Sequence, residues 1–177
     1  MKTIIAQIIG FVGMFFIAIA FQSSNKKRIL DLQGISAGVF AIHFILLGAY
    51  SGAGMNAVEV IRNLIFRKVE STKRKMIFVV AFSLIFITVG FLTWQGPWSL
   101  LPIIAQVQAT AAVSLKKPKY IRLCFIPVFT LWLIYNSISL SIAGILTEIF
   151  DLGTILFAIW RLDIRGKRNE RNADYVL

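Results

Sequence analysis

The sequence predicts an all-α membrane protein with seven transmembrane helices, built as two parallel three-helix repeats joined by a linker helix. Three observations carry this. The chain is 58% hydrophobic with a mean hydropathy of +0.78, more apolar than a soluble domain of its size. Its apolar residues form runs near 3–21, 33–50, 52–66, 76–94, 98–114, 121–139 and 142–160. Of its 19 Lys and Arg residues, 17 fall in every second gap between those runs, and only Lys2 and Arg62 lie outside the pattern.

The first run follows Lys2 and ends before Lys26, Lys27 and Arg28. With Ala18-Ile19-Ala20 it loosely mimics a signal peptide. Its length is that of a full span, about 20 residues, and translocating Lys26–Arg28 would invert every later loop, so it reads as a true helix. The second run ends at Ser51 in an uncharged gap. The third leads into Arg67, Lys68, Lys73, Arg74 and Lys75. The fourth ends at the uncharged Gln95-Gly96-Pro97, and the fifth at Lys116, Lys117, Lys119 and Arg122. The sixth turns through Ser139–Ser141 without charge. The seventh runs into Arg161, Arg165, Lys167, Arg168 and Arg171. Short loops rich in Lys and Arg stay cytoplasmic. Seven spans with the N-terminus outside and the C-terminus inside satisfy every loop. Tyr50, Trp94 and Trp98 then mark the outer interface, and Tyr120 and Trp160 the inner one.

One domain is therefore expected over 1–161: repeat one at 1–67, a linker helix at 76–94 and repeat two at 98–161. Residues 162–177 form a short charged cytoplasmic tail. The repeat rests on an offset of 90 residues between Ser24-Asn25-Lys26-Lys27 and Ser114-Leu115-Lys116-Lys117, which also places Ala53-Gly54 on Ala143-Gly144. Both halves start outside and end inside, so an axis along the membrane normal relates them. In architecture alone this is similar to the SWEET-type sugar carriers. An adjacent Pro-Gln pair within a span is missing, which sets the chain apart from a strict PQ-loop pattern.

At the level of residues the chain resembles the YgjV-type bacterial inner-membrane proteins. The resemblance covers most of the chain through short, largely apolar motifs. It lies in His43-Phe44-Ile45-Leu46-Leu47-Gly48-Ala49-Tyr50, Ile61-Arg62, Ile134-Tyr135-Asn136, and Ser141-Ile142-Ala143-Gly144 followed by Glu148. Glu59 and Asp151 depart from the family pattern. The resemblance implies a fold and a location in the inner membrane, and no mechanism.

The polar residues inside the spans carry what chemistry the sequence offers. Glu59, Arg62, Glu148 and Asp151 would each cost roughly 2.5–3.5 kcal/mol at mid-bilayer, so they should face the bundle interior. Asn56, Glu59, Arg62 or Asn63, and Arg67 recur every three or four residues on one face of the third span. Ser141 or Gly144, Glu148, Asp151 and Thr154 do so on the seventh. The repeat sets Arg62 against position 152 and Glu59 against 149, so the two stripes are expected to meet near the centre. Three carboxylates cannot all stay ionised around one Arg in a low dielectric. One should pair with Arg62, and at least one other should hold a proton near neutral pH. A buried ion pair that only locks helix register explains the same residues.

Gln106 and Thr110 share a face of the fifth span, and Asn56 and Asn136 lie in outer halves. Each could bind a polar solute, although interhelical hydrogen bonding is the commoner role. His43 is the lone histidine and Cys124 the lone cysteine, so no metal spacing or internal disulfide arises. His43 reads best as a helix–helix hydrogen bond, and Cys124 as a small buried hydrophobe. Pro102 and Pro127, with Gly10, Gly13, Gly34 and Gly38 in the first half, read as hinges or as close-packing points.

The net charge of +11 flanks helices and suits anionic lipid head groups, and no groove-reading motif accompanies it to suggest nucleic acid. No phosphate-cradling loop, nucleophile elbow or HExxH occurs, so no enzyme, cofactor or metal is expected. The expected function is a small-solute transporter or facilitator, proton-coupled through Glu148 and Asp151. Its solute pathway would comprise Asn56, Glu59, Arg62, Gln106, Asn136, Glu148 and Asp151. The competing class is a non-transporting structural or partner-binding subunit, whose stripes pack on themselves or on another chain, including a homo-oligomer. A polar cavity reaching the centre from one side separates the two.

Overall fold

A computed structural model describes residues 2–21, 26–69, 71–112, 114–115 and 118–160. The expected tail at 162–177, and Ser24, Asn25, Lys116, Lys117 and Arg161, lie outside the described residues. The chain is all-α. Its seven helices are α1 (Lys2–Phe21), α2 (Lys26–Leu47), α3 (Tyr50–Lys68), α4 (Thr72–Leu92), α5 (Leu100–Ala112), α6 (Pro118–Ile138) and α7 (Ile142–Ala158), with a 3₁₀ turn at Pro97–Ser99. Each apolar run becomes one helix. α2 starts earlier than its apolar run because Lys, Arg and Leu are good helix formers. Its first turns are also held from α3, where Arg67 Nε lies 3.1 Å from Asp31 Oδ1.

By length and apolarity α1, α2 and α4 are able to cross a membrane, and the apolar stretch Arg122–Ile138 of α6 is somewhat shorter. α3, α5 and α7 are the helices that carry Glu59, Arg62, Gln106, Glu148 and Asp151. Their polarity has a structural reason in the packing. α1 packs on α2, α2 on α3, α3 on α5, α5 on α6, α6 on α7 and α7 back on α1. Six helices thus close a ring, and α4 lies against both α3 and α5 at one seam. Apolar residues clothe the outside, among them Ile4, Ile8, Phe15, Ile77, Leu84 and Phe91. Tyr50, Trp94, Trp98, Tyr120 and Trp160 are also exposed, as interfacial aromatics are.

The α1/α7 seam is made by small residues. A Cβ on Gly10 would lie 2.6 Å from the Ala143 Cβ and 2.8 Å from His43 Nδ1. Gln7 Nε2 donates to Leu140 O at 2.8 Å, and Ala143 N donates to Gln7 Oε1 at 3.1 Å. Gly13 approaches Phe40 as closely, whereas Gly34 and Gly38 make only ordinary contacts. The first pair of these glycines therefore serves close packing. Pro102 lies in the first turn of α5, not in its interior, where a missing N–H costs little. Pro127 is inside α6. Gln108 Nε2 donates to Cys124 O at 3.2 Å, beside the carbonyls that a proline leaves without a partner.

Two corners share one construction. After α2, Gly48 takes φ +73° and Ala49 N donates to Phe44 O at 2.9 Å. After α6, Leu140 takes φ 53° and Ser141 N donates to Asn136 O at 2.9 Å. Both are left-handed helix stops with a six-to-one hydrogen bond. The corner before α3 is tied to α6: Gly52 N donates to Tyr135 Oη at 2.7 Å, and Tyr135 Oη donates to Ala49 O at 3.4 Å. The corner before α7 is tied to α2: His43 Nδ1 lies 2.6 Å from Ala6 O, and Nε2 lies 2.7 Å from Ser141 Oγ. His43 is thus the helix–helix connector expected of it. Ala6 O can only accept, so Nδ1 carries the hydrogen and Nε2 accepts from Ser141 in the neutral ring.

Gly52 has no room for a side chain. A Cβ there would lie 2.7 Å from Tyr135 Cε1 and 3.1 Å from Phe44 Cγ, whereas one on Gly153 would meet nothing within 4 Å. Gly52→Ala should therefore destabilise by about 1–3 kcal/mol through overpacking. Gly153→Ala should be neutral or stabilising by up to about 1 kcal/mol. Thermal unfolding in detergent checks the pair: the Gly52 variant melts lower than the parent and the Gly153 variant does not.

Candidate functional site

The ring encloses a cavity of about 810 Å³. At one end it reaches Ile29 and Leu30 of α2, Lys75 of α4, Leu115 after α5 and Arg122 of α6, which is the end bearing the basic loops. At the other end it stops at Phe44, Asn56, Asn136 and Gly144. Beyond these lie the two corners. The first of them is tied to the turn between α4 and α5: Ser51 Oγ lies 2.6 Å from Thr93 O and 2.8 Å from Ser99 Oγ, and Gln95 Nε2 donates to Gly48 O at 2.8 Å. The cavity is deep from the basic end and closed at the corner end.

One wall is a charged knot on α3 and α5. Arg62 is 5% exposed. Its Nη2 donates to Glu59 Oε1 at 2.8 Å and Asn63 Oδ1 at 3.2 Å. Its Nη1 donates to Gln106 Oε1 at 2.9 Å and Thr110 Oγ1 at 3.2 Å, and its Nε to Asn63 Oδ1 at 3.3 Å. Gln106 Nε2 closes the loop by donating to Glu59 Oε2 at 2.6 Å. The guanidinium also stands 5.8 Å from the centre of the Phe86 ring of α4, within cation–π range. A guanidinium has five N–H groups, and all of them are engaged.

The opposite wall is different. Glu148 and Asp151 lie one turn apart on α7 and line the same cavity. Glu148 Oε2, Asp151 Oδ1 and Asn136 Oδ1 are buried and, among the described residues, have no hydrogen-bond partner. Asn136 is 1% exposed and Asp151 4%. Asn136 Oδ1 rests against Gly144, where a Cβ would collide with it. Phe40, Phe44, Phe125, Phe129 and Trp132 form the apolar sides, with Phe44 and Trp132 stacked at 6.0 Å.

All seven residues expected to line a pathway, Asn56, Glu59, Arg62, Gln106, Asn136, Glu148 and Asp151, do line this cavity. Arg62 finds its carboxylate partner in Glu59. The two polar stripes, however, do not meet. The cavity separates them, and among the described residues no ion pair or hydrogen bond joins Arg62 to Glu148 or Asp151. The reason is that α3 packs on α5 and α7 on α6 and α1, so the stripes face each other across the ring. Arg67 leaves its stripe to bind Asp31. Gln33, Ser36, Thr147 and the aromatic walls also line the cavity and were not singled out from the sequence. The spacing of Phe40 and Phe44, and of Phe125, Phe129 and Trp132, was the available signal, and it is indistinguishable from a packed core.

Comparison with known proteins agrees with this setting. The family model Imp-YgjV, described as a bacterial inner membrane protein, matches residues 4–165. The chain belongs to this family. It is similar to the inner membrane protein YgjV of Escherichia coli strain K12, with 26% identity over 165 residues, 92% of this chain and 88% of that protein. No solved structure matches it. This YgjV-family protein is thus an integral, multi-pass protein of the bacterial inner membrane.

Removing one partner of a buried ion pair leaves a bare charge and costs about 3–5 kcal/mol. Arg62→Ala would strand Glu59 Oε1 and Gln106 Oε1 together. It should lower the melting temperature far more than Lys73→Ala, at an exposed position near the basic end. Equal melting temperatures would show that the knot contributes nothing to the fold.

Proposed function

We propose that this YgjV-family protein is a small-solute transporter or facilitator of SWEET-like design, not an enzyme, with its N-terminus outside and C-terminus in the cytoplasm. The observation that carries the reading is the cavity: about 810 Å³, reaching Asn56 and Asn136 from the basic end, with polar groups on facing walls. Volumes of roughly 300–1,000 Å³ accommodate small ligands. Under the charge rule the basic loops at its mouth favour a cytoplasmic mouth, and on this reading the form is inward-facing.

Two parallel three-helix halves account for the ring. Exchanging α1 with α5, α2 with α6 and α3 with α7 converts the α3/α5 seam into the α7/α1 seam, and both contacts occur. The corners support the same exchange. Gly48 and Leu140 hold equivalent left-handed positions. Tyr135 of α6 ties the start of α3 as His43 of α2 ties the start of α7. The local offset is 92 residues, from Gly48 to Leu140, two more than the loops indicate. Under it Glu59 corresponds to Asp151. α4 lies outside the exchange as the linker.

Rocking of the halves would open the corner end, and the hydrogen bonds at Ser51, Gln95, Tyr135, His43 and Gln7 would be among those that break. Proton coupling would run through Glu148 and Asp151. The groups facing them are Glu59 and Arg62 on α3, and Lys75 and Arg122 near the mouth. Uptake in proteoliposomes across a solute panel, with and without an imposed proton gradient, tests this. Gradient-stimulated uptake that Glu148→Gln abolishes is the expected result. Uptake indifferent to the gradient leaves passive facilitation. No uptake across the panel leaves the competing reading, a partner-binding subunit held by the Arg62 knot. A reporter active only outside the cytoplasm and fused after Leu177 should stay silent.

A further inference from the structure

We infer that the solute bound in this cavity is a small organic cation bearing a primary ammonium group, held on the α7 wall. The inference deepens the transport reading and rests on it. The deciding fact is which polar atoms remain without partners. On the α3/α5 wall the Arg62 donors are all engaged by Glu59, Asn63, Gln106 and Thr110. An anionic solute would have to break that knot to reach a cation there. On the α7 wall the buried atoms without partners among the described residues are Glu148 Oε2, Asp151 Oδ1 and Asn136 Oδ1. All three are acceptors when the acids are ionised.

Their placement runs along one wall. Asn136 Oδ1 rests against Gly144, and Gly144, Glu148 and Asp151 follow at one turn each along the face of α7 that lines the cavity. The acceptors therefore rise in successive turns up one wall. Asn136 is an amide almost wholly buried, and its oxygen has no hydrogen-bond partner among the described residues. Buried polar atoms are paired in the great majority of cases, and each exception calls for a ligand or another reason. An ammonium group offers donors and one positive charge, which suits neighbouring acceptors one turn apart on a helix that carries two carboxylates and no Lys or Arg. A sugar would bring donors without charge and leave the carboxylates uncompensated. The stacked Phe44 and Trp132 beside Asn136 supply ring faces for the organic part, and cations favour such faces. No cluster of His, Cys, Asp and Glu among the described residues suits a metal ion.

The test uses one scaffold in three charge states. The whole protein in nanodiscs of neutral lipid is titrated calorimetrically with phenethylammonium, 2-phenylethanol and 3-phenylpropionate. The ammonium should bind at least tenfold tighter than the alcohol, and the carboxylate no tighter than the alcohol. Asp151→Asn and Glu148→Gln should each weaken ammonium binding at least tenfold and leave the alcohol unchanged. The charge series on the parent protein decides the matter even if a variant does not fold. Equal binding of the three compounds, or preference for the anion, overturns the inference. So does displacement of the ammonium by an equal concentration of KCl, which would make this an inorganic cation site. Ammonium binding without vesicle uptake removes transport and keeps the site. Uptake of uncharged solutes with no ammonium preference keeps transport and removes the site.

Discussion

The buried guanidinium of Arg62 is the constraint around which the bundle is arranged. A charge in a membrane span is tolerated only where protein surrounds it. Here α3 supplies Glu59 and Asn63, α5 supplies Gln106 and Thr110, and α4 lays Phe86 against the cation. Meeting one cation thus joins three helices and fixes which face of α3 points inward. The same register carries Asn56 to the blind end of the cavity and Arg67 to Asp31 on α2.

The two walls of the cavity embody opposite solutions to the cost of polar burial. The α3/α5 wall is satisfied from within and is rigid for that reason. The α7 wall leaves oxygens bare, and a fold selected only for stability would have no use for them. The apolar α1, α2 and α4 can face lipid, while α3, α5 and α7 cannot do so around their circumference. The arrangement of the ring follows from this division.

The corner end has its own logic. Two left-handed stops turn the chain without charge or long loops, and each is pinned by a side chain from a distant helix, Tyr135 or His43. His43 and Tyr135 differ in chemistry while doing the same geometric task. Gly52 and Gly10 permit the close approach. The corner end is consequently tight, whereas the basic end carries the cavity mouth.

The alternation of charge and apolarity was enough to determined the helix count and the membrane location, because lipid imposes a composition on every span that crosses it. The inward direction of Glu59, Arg62, Glu148 and Asp151 was legible from helical spacing for the same reason. Spacing along one helix says nothing of its neighbours. The 90-residue offset brought Arg62 beside Asp151, whereas the packing of α3 on α5 gave Arg62 to Glu59 and Gln106 instead. The bare oxygen of Asn136 and the aromatic walls were equally hidden, since a Phe in a core and a Phe lining a cavity look alike in sequence. Only the tertiary structure decided which polar groups are paired, because hydrogen bonding depends on distances between helices that no local pattern contains.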